Sequence, residues 1–278
     1  MNTPEILEMI LSQTDMRTLL TSAQRVCRNW ANLIRESPSI QKALFFTPIK
    51  DSEWGIEEDI RNPLLAEVFH SIFPVNNTSD KDSFQFSDLT MTRDDSAMAR
   101  FVREDASWRK MLVQQPPLSE IGMFHIRHAR GGDSAEISSI PADKKMQETG
   151  YDGLRMERLL EFLLFSRRPR FGAFTKARVY WSTEEPISFN ESHKNINDEF
   201  RQMMSEFGLV IYTREVIQCA IGQRRPPSNR EIVRGRIIAA YTKRDLVDIK
   251  KKDIEESGGE VTILRGVRPV TSSSPETP

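Results

Sequence analysis

Thr3-Pro4-Glu5-Ile6-Leu7-Glu8-Met9-Ile10-Leu11, followed by Val26-Cys27-Arg28-Asn29-Trp30-Ala31-Asn32-Leu33-Ile34, decides how the first part of this chain is read. A threonine oxygen can accept an orphan amide, proline is tolerated in a first helical turn, and glutamate suits the positive end of the dipole. A helix is therefore expected from Pro4 to about Gln13. Its apolar positions Ile6, Leu7, Met9, Ile10 and Leu11 cover more than one packed face needs, and such an excess implies a partner surface. Asp15 can cap a second helix from Met16 to about Gln24, in which Leu19, Leu20 and Ala23 fall at helical spacing. Val26, Trp30, Leu33 and Ile34 then recur along one stripe of a third, and Ser37-Pro38 ends it and starts a short fourth through Leu44. Four short helices in so few residues make a bundle with a marginal core, which docking on another protein would help to hold.

Thr3-Pro4-Glu5-Ile6, Ile10-Leu11, Asp15 with Leu19-Leu20, and Val26-Cys27-Arg28-Asn29-Trp30 with Leu33-Ile34 together resemble the F-box. The Val-Cys-Arg-x-Trp run set downstream of a proline-glutamate start is the most specific part. Ser37-Pro38-x-Ile40-Gln41-x-Ala43-Leu44-Phe45-Phe46 and, further on, Asn62-Pro63-Leu64-Leu65 and Trp108-Arg109-x-Met111-Leu112 are similar to the filamentous-fungal F-box group. Two positions depart from the pattern: Thr3 stands where the family opens with leucine, and Thr14 where a leucine usually follows the first helix. Both exchanges remove apolar contact. The resemblance implies that the helical unit docks on the Skp adaptor subunit, which links it to the cullin scaffold, while the remainder captures a protein to be ubiquitinated. It places Pro4, Ile6, Ile10, Leu19, Leu20 and Val26 at or near the adaptor interface, and Trp30, Leu33 and Ile34 in the F-box core. On this reading the chain is a substrate-recognition adaptor of an SCF-type E3 ubiquitin ligase and not itself an enzyme. The alternative is an F-box scaffold or regulator that acts outside the ligase without a degradation substrate.

The rest of the chain predicts a mixed region. Asn62-Pro63 can start a helix carrying Leu64, Leu65, Val68, Phe69 and Ile72, and the polar run from Val75 to Asp82 marks a boundary. Helical character returns from Asp94 through Val113. Ile121 to His128 alternates as a strand does, whereas Arg130 to Gly150, rich in glycine, serine and charge, reads as an exposed loop. Leu154 to Phe165 reads as an apolar helix, Thr175 to Ser182 as a strand, Ile196 to Phe207 as a helix and Leu209 to Tyr212 as a buried strand that Glu215 to Ile221 continues or returns. Asn229 to Tyr241 fits either helix or strand. No leucine-rich, tryptophan-aspartate or kelch repeat is present. The expected fold is α+β and helix-rich: an all-α three-helix F-box at 1–48, a helical extension at 49–74, a mixed α+β substrate-recognition region at 75–267 and a disordered tail at 268–278.

Composition excludes several function classes. The chain has 278 residues, enough for two packed units, and its formal net charge of -1 gives no bulk attraction to nucleic acid or an anionic membrane. Cys27 and Cys219 each lie in an apolar stretch far apart in sequence, which points to a reducing compartment and not to a disulfide framework. No leader or membrane-spanning run is visible, so a soluble protein of the cytoplasm or nucleus is expected. His125 and His128, three apart in a strand, would face opposite ways, and no metal site, cofactor motif, nucleophile elbow or phosphate-binding glycine loop is present. Basic clusters occur at Arg167-Arg168-x-Arg170, Arg224-Arg225 and Lys250 to Lys252. The first adjoins a hydrophobic helix and the aromatics Phe171 and Phe174, so Arg167, Arg168 and Arg170 are the candidates for binding an acidic or phosphorylated substrate.

Overall fold

The computed structural model describes residues 4–49, 59–73, 84–129, 132–142, 153–165, 173–186, 194–217, 229–242, 247, 250–252 and 261–265. Its N-terminal unit consists of helices α1 (Pro4–Ser12), α2 (Met16–Thr21), α3 (Arg28–Glu36) and α4 (Pro38–Ala43), with a single 3-10 turn at Ala23–Arg25 between the second and third. The Asp15 carboxylate accepts from the Thr18 amide at 2.9 Å and the Ser37 hydroxyl from the Ile40 amide at 3.2 Å, so two of the four helices begin on a side-chain cap. Leu11, Leu19, Ala23, Ile34, Ile40 and Leu44 form its core. The expected third stripe is corrected at one end. Val26 falls in the turn before α3, where the chain is extended at Cys27, and not on the helix with Trp30.

The remainder is built on a mixed five-stranded sheet in the order β5-β6-β3-β4-β7, where β3 is Glu120–Ala129, β4 Gly132–Pro141, β5 Ala173–Trp181, β6 Leu209–Ile217 and β7 Thr262–Arg265. β3 and β6 run parallel and the other pairings are antiparallel. The fold is thus α+β, with an all-helical N-terminal unit beside a helix-and-sheet region. The period-two alternation of strands sorts the apolar residues to two faces. Phe124, Ile126, Tyr180, Val210 and Tyr212 pack on Phe200, Met203 and Met204 of α9 (Lys194–Glu206). Gly122 permits that approach, because a Cβ there would lie 2.7 Å from the Met203 methyl carbon and 3.1 Å from Phe207. Ile121, Val179, Trp181, Leu209 and Ile211 lie on the other face in a larger core with α8 (Met156–Phe165).

Four further helices, α5 (Pro63–Val68), α6 (Asp95–Phe101), α7 (Ser107–Lys110) and α10 (Asn229–Tyr241), complete that larger core, and a two-residue ladder joins β1 (Ile60–Arg61) to β2 (Gln114–Gln115). The ambiguous stretch from Asn229 is therefore helical. The helical run expected from Asp94 is two helices, with the Trp108 indole donating to the Phe101 carbonyl at 2.8 Å across their junction. The loop expected over 130–150 is corrected within its described part: Gly132–Pro141 is a strand whose register opposes Ala129 to Gly132, and the other residues of that stretch, apart from Ala142, lie outside the described residues. Its serines and charges, Ser134, Glu136 and Ser138, occupy alternate positions, and such a half-polar strand has the composition of a loop.

Leu65 and Phe69 of the α5 region, in the stretch read as a helical extension, share the core of Trp108, Leu160 and Trp181. Met16, Leu20 and Phe46 touch both cores. A buried polar seam ties the bundle down further. The Gln115 side chain accepts from the Ile49 amide at 3.0 Å and donates to the Thr47 carbonyl at 2.9 Å, and the Leu112 amide donates to the Phe45 carbonyl at 2.8 Å. The polar run from Val75 to Asp82, read as a boundary, and the 268–278 tail lie outside the described residues.

Candidate functional site

Helical geometry separates two sides of α1. Leu7 and Leu11 turn inward, whereas Ile6, Met9 and Ile10, spaced i, i+3, i+4, are 56%, 70% and 56% exposed. Val26, in the turn ahead of α3, is 61% exposed. Of the eight large hydrophobic side chains exposed among the described residues, these four fall within the first 26 positions, so the apolar surface is concentrated on the bundle. Pro4 is exposed beside them at the start of α1, and Leu20 is half-buried.

Leu19 is the exception among the residues expected at this surface. At 2% exposure its side chain belongs to the bundle core, while the adjacent Leu20 is half-buried. The opposite shift holds for two residues expected inside: Trp30 and Leu33 are half-buried at the margin of the core, while Ile34, at 1%, is fully within it. Thr14, one of the departures from the family pattern, is half-buried and its hydroxyl donates to the Ile10 carbonyl at 3.2 Å. A methyl-bearing side chain thus closes α1 without an unpaired polar atom. Thr3 and the three arginines 167, 168 and 170 lie outside the described residues.

A second group of polar side chains, which the sequence reading did not assemble, lies on one face of three neighbouring strands. The register sets His125 beside Thr213 on β6 and opposite Glu136 on β4, and sets Arg127 beside Glu215. The His125 Nδ1 and the Thr213 hydroxyl are 2.7 Å apart, and its Nε2 is 3.5 Å from Glu215 Oε2. Arg127 donates through Nε to Glu215 at 3.1 Å and lies 3.4 Å from Glu136. Burial pushes the His125 imidazole below its ordinary value, outweighing the carboxylates Glu136 and Glu215 that favour its charge. The result is a neutral imidazole bridging a hydroxyl and a carboxylate that an arginine already neutralises, a cross-strand network satisfied within itself. His128 turns the other way along the strand, to Asp133 at 3.0 Å, as its odd spacing from His125 requires.

A third polar group joins helices. Arg109 and Tyr241 both reach Glu157, the Tyr241 hydroxyl also donates to Glu161 at 3.2 Å, and the Lys250 ammonium meets the same Glu161. The Arg109 guanidinium lies 4.3 Å from the Tyr241 ring centre, and burial with the neighbouring carboxylates drives the phenol's pKa up, so it stays a donor. These contacts fasten α7, α8 and α10 together. Among the described residues no group of three histidine, cysteine, aspartate or glutamate side chains could hold a metal ion, and no helix is long and apolar enough to cross a membrane. No known protein family, curated protein or solved structure matches this chain.

Proposed function

We propose that the chain is a substrate-recognition adaptor of an SCF-type E3 ubiquitin ligase, in which α1 and the turn at Val26 dock on the Skp adaptor subunit, and through it on cullin, while the α+β region holds a protein substrate. The observation that carries this reading is the apolar surface of Ile6, Met9, Ile10 and Val26 on a bundle that supplies its own core. Exposed apolar side chains spaced i, i+3, i+4 along one side of a helix offer a binding surface. Ile6, Ile10 and Val26 are among the residues that the F-box resemblance sets against the adaptor; Met9 joins them on the exposed side of α1, whereas Leu19 is in the bundle core. Catalysis then belongs to other subunits, and the polar networks of the sheet and helices hold structure.

The test is co-purification of the full chain with a Skp-type adaptor and cullin. Replacing Ile6 and Ile10 by glutamate should abolish adaptor capture while the thermal unfolding midpoint stays near that of the parent, since both side chains lie outside the core. Undiminished capture by that folded variant would overturn the assignment. Adaptor capture without cullin would instead favour a scaffold acting outside the ligase.

A further inference from the structure

The bundle has one described polar fastening between α1 and α4. The Glu8 carboxylate accepts hydrogen bonds from both the Ser37 and the Ser39 hydroxyls, which are themselves 3.0 Å apart. Those two donors hold the Glu8 carboxyl below its usual range, so it is anionic at neutral pH. At 100° per residue, Glu8 lies about 150° around the helix from the centre of the Ile6, Met9 and Ile10 patch. The fastening therefore sits behind the apolar surface and sets how that surface is presented. Ser37 is only 5% exposed, as befits a cap, whereas Ser39 is open to solvent.

We propose that Ser39 is a phosphorylation site, and that a phosphoryl group there, set against the Glu8 carboxylate, unfastens α1 from α4 and weakens docking of the adaptor. This rests on the reading that α1 is the docking helix. In the transfer, a protein kinase moves the γ-phosphoryl group of ATP to the Ser39 oxygen, the hydroxyl proton leaves, and ADP is released. Two changes follow at Glu8. The esterified oxygen no longer has a proton to donate, and close to two negative charges now stand where a donor stood. The phosphate would stand in the first turn of α4, where the helix dipole favours negative charge, so the expected effect is a graded loss of binding and not its abolition.

Phosphoserine can be installed at position 39 of the full chain during translation by stop-codon suppression, and adaptor affinity measured by calorimetry beside amide exchange in α1. The phosphorylated chain should bind about ten-fold more weakly, and α1 amides should exchange faster even without adaptor. In the Glu8→Gln background the same phosphate should change affinity by no more than about three-fold, because the repelling charge is gone. Equal affinity and equal exchange with and without phosphate would overturn the proposal, as would phosphopeptide mapping of the protein from its own cells that finds no occupancy at Ser39. An unmodified chain that binds no adaptor, yet shows the exchange difference, would overturn the docking assignment and leave the fastening supported.

Discussion

Replacing Ile6 and Ile10 together by alanine separates the docking surface from the fold. Full burial of an isoleucine side chain is worth about 1.5–3 kcal/mol. Each of these is 56% exposed, so just over half of that gain is still available to a partner, about 1–1.5 kcal/mol per residue. Alanine keeps the β-carbon, and the pair should therefore lose about 2 kcal/mol of adaptor binding, roughly a thirty-fold rise in Kd. Stability should barely change, within about 0.5 kcal/mol, because surface substitutions away from the core seldom do more. Leu19→Ala is the internal contrast. At 2% exposure in the bundle core it should lower stability by about 2–5 kcal/mol, and any loss of binding should follow the unfolded fraction. Calorimetric titration of the adaptor, read beside urea unfolding of each variant, distinguishes the two. An Ile6→Ala/Ile10→Ala chain that binds as tightly as its parent would refute the reasoning, and so would one that loses stability as Leu19→Ala does.

Asn62 is fully buried, accepts from the Leu65 amide at 3.1 Å and donates to the Leu112 carbonyl at 3.1 Å. Asn62→Ala should lose a helix cap and strand a buried carbonyl, about 2–4 kcal/mol by urea unfolding, and Asn62→Asp, which keeps the cap acceptor but sets a buried carboxylate oxygen against the Leu112 carbonyl, should lose at least as much. Burial holds His125 below its ordinary value of 6.5, so as the pH drops below that point the unfolded chain takes up a proton that the folded one refuses. Its contribution to stability is complete above pH 6.5 and declines below, by at most about 1.4 kcal/mol per pH unit. His125→Gln should shed that part of the decline, and identical losses in parent and variant between pH 7.5 and 5.5, read from denaturant midpoints, would count against it. Residues 1–49 expressed alone should show no cooperative thermal transition, because Met16, Leu20 and Phe46 lose the larger core on which they also pack; a sharp melt would contradict this.

Much of the fold is legible in the residues wherever pattern and burial coincide. α1, α4 and α8 begin or end within a few residues of their sequence signals, because prolines, caps and dense apolar spacing act locally. β4 does not read as a strand because its partly buried alternate positions bear serine and glutamate, and β7 does not because four residues are too few to show a period. The exposed apolar side of α1 is legible as an excess of apolar residues, but not the different burial of Leu19 and Leu20. Adjacent positions on a helix differ by 100° in direction, and only the placement of α1 and α3 decides which of the two points inward. His125, Thr213, Glu215 and Glu136 could not be assembled in advance, since the parallel pairing of β3 with β6 brings together residues 88 apart.

The placement of the bundle alters what its apolar surface is for. Four helices with a core of six buried side chains would ordinarily lean on a partner to remain folded, and exposed isoleucines would then be explained as the price of that dependence. Here the support is internal. Met16, Leu20 and Phe46 carry the bundle into the larger core, while Gln115 and the Leu112 amide hold the segment after α4 by hydrogen bonds to Thr47, Ile49 and Phe45. Ile6, Met9, Ile10 and Val26 face away from all of these contacts and contribute little to stability where they are. Side chains that add little to the fold and raise the risk of aggregation call for another reason to be apolar, and the proposed docking is one. Because the bundle is already held, a partner need not supply the free energy of ordering it, so the binding free energy of α1 can appear directly as affinity.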